Sequence, residues 1–217
     1  MANTYIQQRN EKVGNKIAEA FNKRHFEAYY VNTKEEALKK AIELIPQDKT
    51  ISWGGSMSIE EIGLINYLKE NNYPVIDRAT AKNAEEKMNM YKQALTCGTY
   101  LMSANAISED GQLINVDCIG NRIGALIFGP ENVVVIVGIN KAMPTVEEAQ
   151  KRAREYAAPV NMQKISALSG RQTPCVITGK CQDCKSTDSI CSNIVITRLC
   201  YPAKRIKVII VGENLGF

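Results

Sequence analysis

The sequence predicts an α/β protein, with a parallel or mixed sheet covered by helices on both faces. Three observations carry that reading. Strand-like and helix-like runs alternate through the first 80 residues. The run VVVIVG at 133–138 is apolar throughout, as a strand buried on both faces should be. The chain has 217 residues, 45% apolar and 23% charged, which is ordinary globular composition and enough for one large core.

Taken in order, Ile6, Val13, Ile17, Ala20 and Phe21 recur at helical spacing, so residues 1–25 are read as an N-terminal helix. FEAYYV at 26–31 is a strand. Thr33-Lys-Glu-Glu36 spells a capping box that opens a helix to about Leu44, which Pro46 and Asp48 end. Thr50-Ile-Ser-Trp53 is the next strand. Gly54-Gly55-Ser56 follows it, and Ser58 with Glu61 opens a helix to about Glu70. YPVID at 73–77 reads as a short buried strand, and residues 81–95 as a helix with Met88, Tyr91 and Leu95 on one face. Beyond the 133–138 strand, Pro144-Thr145-Val-Glu-Glu148 starts a helix to about Tyr156. Residues 159–193 hold Pro, Gly, Ser, Thr and four cysteines without a clean period, and read as an irregular Cys-rich excursion. NIVITRL at 193–199 and RIKVIIVG at 205–212 are late strands. No internal repeat divides the chain, so residues 1–217 are read as one domain.

Several function classes are set aside by composition. The net charge of +4 is slight, and no Lys/Arg stripe with interleaved aromatics is present, so nucleic-acid binding is not indicated. The apolar runs are far too short to span a bilayer, and the polar start MANTYIQQRNEKVGNK has no signal-peptide core, so a cytoplasmic protein is expected. There is one histidine, His25, through which any Ser-His-Asp or Cys-His chemistry would have to pass. It lies where a helix gives way to a strand and reads as structural or solvent-exposed.

The stretch from Tyr100 to Asn121, YLMSANAISEDGQLINVDCIGN, reads as two strands meeting at Asp110-Gly111. That dipeptide suits a two-residue type I′ turn, in which both central residues take φ > 0. Ile107 would then face Ile114, Asn105 would face Val116, and Ala104 would face Asp117. Small residues and amides stand where a plain strand would carry bulky side chains. Ser103, Asn105, Asn115, Asp117, Asn121 and Arg122 are therefore candidate ligand contacts, with the amides orienting a carboxylate or amide and Arg122 pairing an anion. Glu109, at the lip of the turn, is a candidate nucleophile or general base. The plain alternative is a solvated turn.

Two further features carry chemistry. Gly54, Gly55 and Ser56 lie between a strand and a helix, where backbone N–H groups can receive a phosphate, carboxylate or carbonyl oxygen. The spacing fits neither GxGxxG nor GxxxxGK[ST], and a tight turn with a serine cap is the alternative. Cys175, Cys181, Cys184 and Cys191 fall within 17 residues and include one CxxC pair. They suit a four-thiolate zinc site or an iron–sulfur cluster, with free thiols or one or two disulfides as the alternatives. Cys97, Cys118 and Cys200 read as buried small hydrophobes.

The segments SWGGSMSIEEIGL (52–64), DR (77–78), SANAISEDGQLINVDCIGNRIG (103–124), PENVVVIVGINK (130–141), the four-cysteine run and the closing VIIVGENLGF together resemble the LUD-domain lactate-utilization family, LutC/YkgG type. The resemblance implies a three-layer NagB/RpiA/CoA-transferase-like fold and a cytoplasmic protein linked to oxidation of L-lactate to pyruvate, acting as an accessory redox subunit beside a redox partner or as a homo-oligomer. It implies a small anionic metabolite as ligand. Ser108-Glu109-Asp110-Gly111 is similar to the glutamate turn of class I CoA-transferases, which would make Glu109 the catalytic residue of a CoA-transferase-like or isomerase-like enzyme. The four-cysteine segment departs from the better-known members. It also allows a non-enzymatic regulatory module with a structural zinc or redox-sensing site.

Overall fold

Strands that are apolar on both faces require a covering layer on each side, and the computed structural model, which describes residues 4–217, supplies both. The chain begins with α1 (Thr4–Lys23), β1 (Glu27–Val31), α2 (Lys34–Glu43), β2 (Ile51–Trp53), α3 (Met57–Glu61), α4 (Leu64–Glu70) and β3 (Val75–Ile76). It continues through α5 (Ala84–Ala94), β4 (Thr99–Met102), β5 (Ala106–Ser108), β6 (Leu113–Asp117), α6 (Asn121–Ile127), β7 (Asn132–Gly138) and β8 (Ala142–Met143). It ends with α7 (Val146–Arg152), α8 (Ala158–Ser169), α9 (Pro174–Thr178), β9 (Asn193–Thr197) and β10 (Ile206–Val211).

Six strands form a parallel sheet in the order β1-β10-β7-β4-β2-β3. Along β7 the side chains alternate between two cores. Val133, Val135 and Val137 meet Ile17 and Phe21 of α1 and Ala125 and Leu126 of α6. Val134 and Ile136 meet Ala37 and Ala41 of α2, Ile59 of α3 and Leu64 and Leu68 of α4. The expected α/β architecture is therefore present. A second sheet, in the order β8-β5-β6-β9, carries its own small core of Ala106, Ile114 and Val116 against Ala149, Ala153 and Ala158. Alanines on the helical side let the helix lie close to the strands. No helix among the described residues is long and apolar enough to cross a membrane.

Several expectations are corrected. The 100–107 run is not one strand: the chain leaves the large sheet after Met102 and enters the small one at Ala106. The hairpin register is Ala106 with Ile114 and Ile107 with Leu113, one residue away from the register expected of a two-residue turn. The loop has three residues, with only Gly111 at positive φ (+88°). The N–H of Gly111 donates to Ser108 O (3.0 Å), and that of Ser108 to Gln112 O (3.1 Å). This is a type I turn closed by a left-handed glycine. The helix expected from Ser58 to Glu70 is broken by Gly63 at φ +75°, and Ser56, not Ser58, occupies the N-cap position. Thr33 caps α2 as expected, but Glu36 reaches back to the N–H of Asn32 (2.8 Å) and not to that of Thr33.

The 159–193 segment is more regular than its composition suggests. α7 runs through a π-helical turn, Ala153–Ala157, into the twelve residues of α8. Pro159 enters at the first turn of α8, directly after that wide turn, where a missing N–H disrupts least. Helix α6 has no strong sequence signal, since it is short and contains Gly124.

Candidate functional site

The parallel sheet reverses its direction of winding between β2 and β4. β2 leads outward to edge strand β3, while β4 leads the other way to β7. Ligands of open α/β sheets bind outside the strand C-termini at such a point. Gly54, Gly55 and Ser56 follow β2 there, Ser103 follows β4, and Ile139-Asn140-Lys141 follows β7.

Arg122, on α6, ties these parts together. Its side chain is 14% exposed, and all five of its N–H donors are engaged within the protein. Nη1 donates to Ser103 O (3.0 Å) and Asn115 Oδ1 (2.7 Å). Nη2 donates to Asn105 Oδ1 (3.0 Å) and Val116 O (2.6 Å). Nε pairs with Asp117 Oδ2 at 3.3 Å. The guanidinium thus clamps the chain where it crosses from β4 to β5 and holds β6 beside it. Its expected role of pairing an exogenous anion has no donor left to serve it. Asn105, Asn115 and Asp117 are likewise drawn into this clamp. A Cβ on Gly54 would fall 3.0 Å from Arg122 Cδ and 3.4 Å from the Tyr100 hydroxyl, so a side chain there would press on the clamped arginine. Gly55 leaves room for Arg78, whose Nη1 donates to Trp53 O. Asn121 is half-buried at the start of α6 and makes no side-chain hydrogen bond among the described residues.

Lys141 is the residue that sequence reasoning missed. It is 4% exposed, and its Nζ donates to Ser58 Oγ (3.0 Å) and Ser103 Oγ (3.2 Å). Among the described residues no carboxylate pairs with it: Glu61, which acts on it from a distance, accepts from the N–H of Gly216 (3.2 Å) and faces Lys34 (3.7 Å). Burial first, then Arg152 and Arg122, bring the ammonium down to about 7. Ser56 Oγ and Asn115 Nδ2 are buried without a hydrogen-bond partner. Tyr100 is 1% exposed beside Arg122, and burial pushes its phenol up to about 12. The signal that marks Lys141 is its position: a basic residue just beyond the C-terminal end of a fully buried strand.

Glu109 is not brought to this place. Its turn docks on the C-terminal end of α1, where Arg24 pairs with Asp110 (2.6 Å) and a Cβ on Gly111 would fall 2.6 Å from the backbone of Ala20 and Phe21. Arg24 O and His25 O accept from Cys200 N and Lys204 N, in the segment that enters β10. The turn therefore lies at the edge where the parallel strands begin, and the Gly54 loop at the edge where they end. The Glu109 carboxylate forms no hydrogen bond or ion pair among the described residues, and its N–H donates to Met143 O (2.8 Å). His25 is exposed, with φ +67°.

Cys175, Cys181, Cys184 and Cys191 all line one cavity of about 190 Å³, together with Arg154, Ala158, Pro159, Met162 and Ile190. All seven cysteines are free thiols. Burial, and then the three neighbouring thiols, push the Cys191 thiol up to about 11. Among the described residues no group of three or more His, Cys, Asp or Glu side chains is arranged to hold a metal ion. The segment is fastened to the clamp strand: β9 pairs with β6 from Asn193–Asp117 to Thr197–Leu113, and Asn193 Nδ2 donates to Cys118 O (3.0 Å). Cys97 and Cys200 are buried away from this cavity, and Cys118 is half-buried.

No curated protein gives a significant match to the chain. The fold is similar to that in the crystal structure of a DUF162 family protein from Deinococcus radiodurans, with a TM-score of 0.51 over 93% of this chain and 98% of that one. Identity is 12%, so the likeness is one of fold. The model of the LUD domain matches residues 14–211, which takes in every strand of both sheets, and the chain accordingly belongs to the LUD domain family.

Proposed function

We propose that the chain binds a small carboxylate-bearing metabolite of the lactate–pyruvate class at the C-terminal ends of β2, β4 and β7. Lys141 is its counter-cation, and Gly54, Gly55, Ser56 and Ser103 are its near contacts. The observation that supports this most is a buried ammonium bonded, among the described residues, to two serine hydroxyls and to no carboxylate, with Ser56 Oγ of the β2–α3 loop also buried and unpartnered. A buried cation of that kind is stabilised when an anion joins it. Arg122 positions the site and does not touch the ligand. Holding the carboxylate of the metabolite in place is what an accessory subunit in L-lactate oxidation would contribute.

Calorimetric titration with L-lactate, pyruvate and inorganic phosphate tests the reading. Carboxylate binding should weaken about tenfold per pH unit above 7, as Lys141 loses its proton, and should vanish in Lys141→Met while the fold is kept. Phosphate bound in preference to both carboxylates would reassign the ligand class. Equal affinity in wild type and Lys141→Met would overturn the site.

A further inference from the structure

We propose that Cys175, Cys181, Cys184 and Cys191 hold a [4Fe–4S] cluster, one thiolate on each iron. The four thiols converge on a single cavity although the chain between them takes several turns. A zinc ion draws its thiolates to about 2.3 Å and leaves no void between them. Here the cavity of about 190 Å³ is on the order of six water volumes. A cubane spreads its four ligands over its corners and fills the space between them.

The frame of the cavity is built without a metal. Gln163 Nε2 on α8 donates to the carbonyls of Cys175 and Val176, both at 3.1 Å. Arg154 pairs with Asp183 (2.5 Å), inside the CxxC loop. Left-handed backbone at Gly179 (φ +71°) and Asp183 (φ +48°) turns the chain before and within that pair. Ala158, Pro159, Met162 and Ile190 give the cavity an apolar wall, which suits the sulfides of a cluster. Inserting a preformed [4Fe–4S]2+ core forms four Fe–S(Cys) bonds, releases four thiol protons and leaves a net charge of −2. Arg154 lines the cavity, and Lys180 and Lys185 flank the CxxC pair, so positive charge is at hand. Ile194 of β9 is also part of the wall, which puts the centre one strand away from β6 and its Asp117.

The full chain, purified anaerobically and reconstituted with ferric iron, sulfide and thiol, tests this. About four irons and four acid-labile sulfides per chain are expected, with brown colour and a one-electron paramagnetic signal after dithionite reduction. Cys184→Ser and the surface variant Cys191→Ser should each lower iron content at least about threefold with unchanged far-UV circular dichroism, while Cys97→Ser should keep it. A colourless chain with one zinc, a centre with two irons and two sulfides, or no metal after reconstitution would each overturn the proposal. So would cysteine variants that retain full iron.

Discussion

Two buried cations do opposite jobs within a few residues' reach of Ser103. Arg122 is charged and fully partnered, so its contribution is geometric. Arg122→Lys keeps the charge but offers three donors where five are used, leaving buried acceptors such as Val116 O unpaired. The expected cost is about 3–5 kcal/mol, read as a shift of the urea midpoint. Lys141 is under-partnered, and its effect depends on pH. Its unfolded value is near 10.4 and its folded value about 7, so between these the unfolded chain binds one proton more. Stability therefore rises with pH across that window. Lys141→Met should remove the rise, making the variant more stable than wild type at neutral pH and less different from it towards pH 10. Loss of ligand binding together with gain of stability would mark a functional residue held at a stability cost. This lysine was illegible in the sequence, because a lysine just past a strand normally reaches water. Only the serines brought in by α3 and β4 show that it does not.

At the level of elements, the hairpin shows how a local signal can hold while its register fails. Ser108 to Gln112 suits a two-residue and a three-residue loop alike, and the choice falls to contacts far along the chain. Arg24 holds Asp110, and α1 leaves no room for a side chain at Gly111. Gly111→Ala combines that clash with a left-handed backbone and should cost more than about 2 kcal/mol, by chemical denaturation. Glu109→Gln, by contrast, should alter stability by less than about 0.5 kcal/mol and leave carboxylate binding unchanged. The large sheet was legible because its strands are buried on both faces and say so in composition. The break after Met102 was not, since Arg122 imposes it from 19 residues away. The cysteine spacing gave the identities of the four gathered thiols, but not that α8, running on through a π-turn, would wall their cavity.

At the scale of the whole molecule, the sheet has its last strand in its interior. β10 lies between β1 and β7, which touch each other only through it. A chain ending before residue 206 should therefore fail to protect β1: limited proteolysis should cut within residues 24–34 in the fragment and spare them in the full chain. The same arrangement sets an order of events during synthesis. As the chain emerges from the ribosome, strands β2, β3, β4 and β7 can associate early, because each finds its neighbours among residues already made. β1 must wait until residues 206–211 arrive to pair with it. Nascent chains of this protein would thus carry β1 without its neighbour until β10 is made, and β1 is where a chaperone should be found.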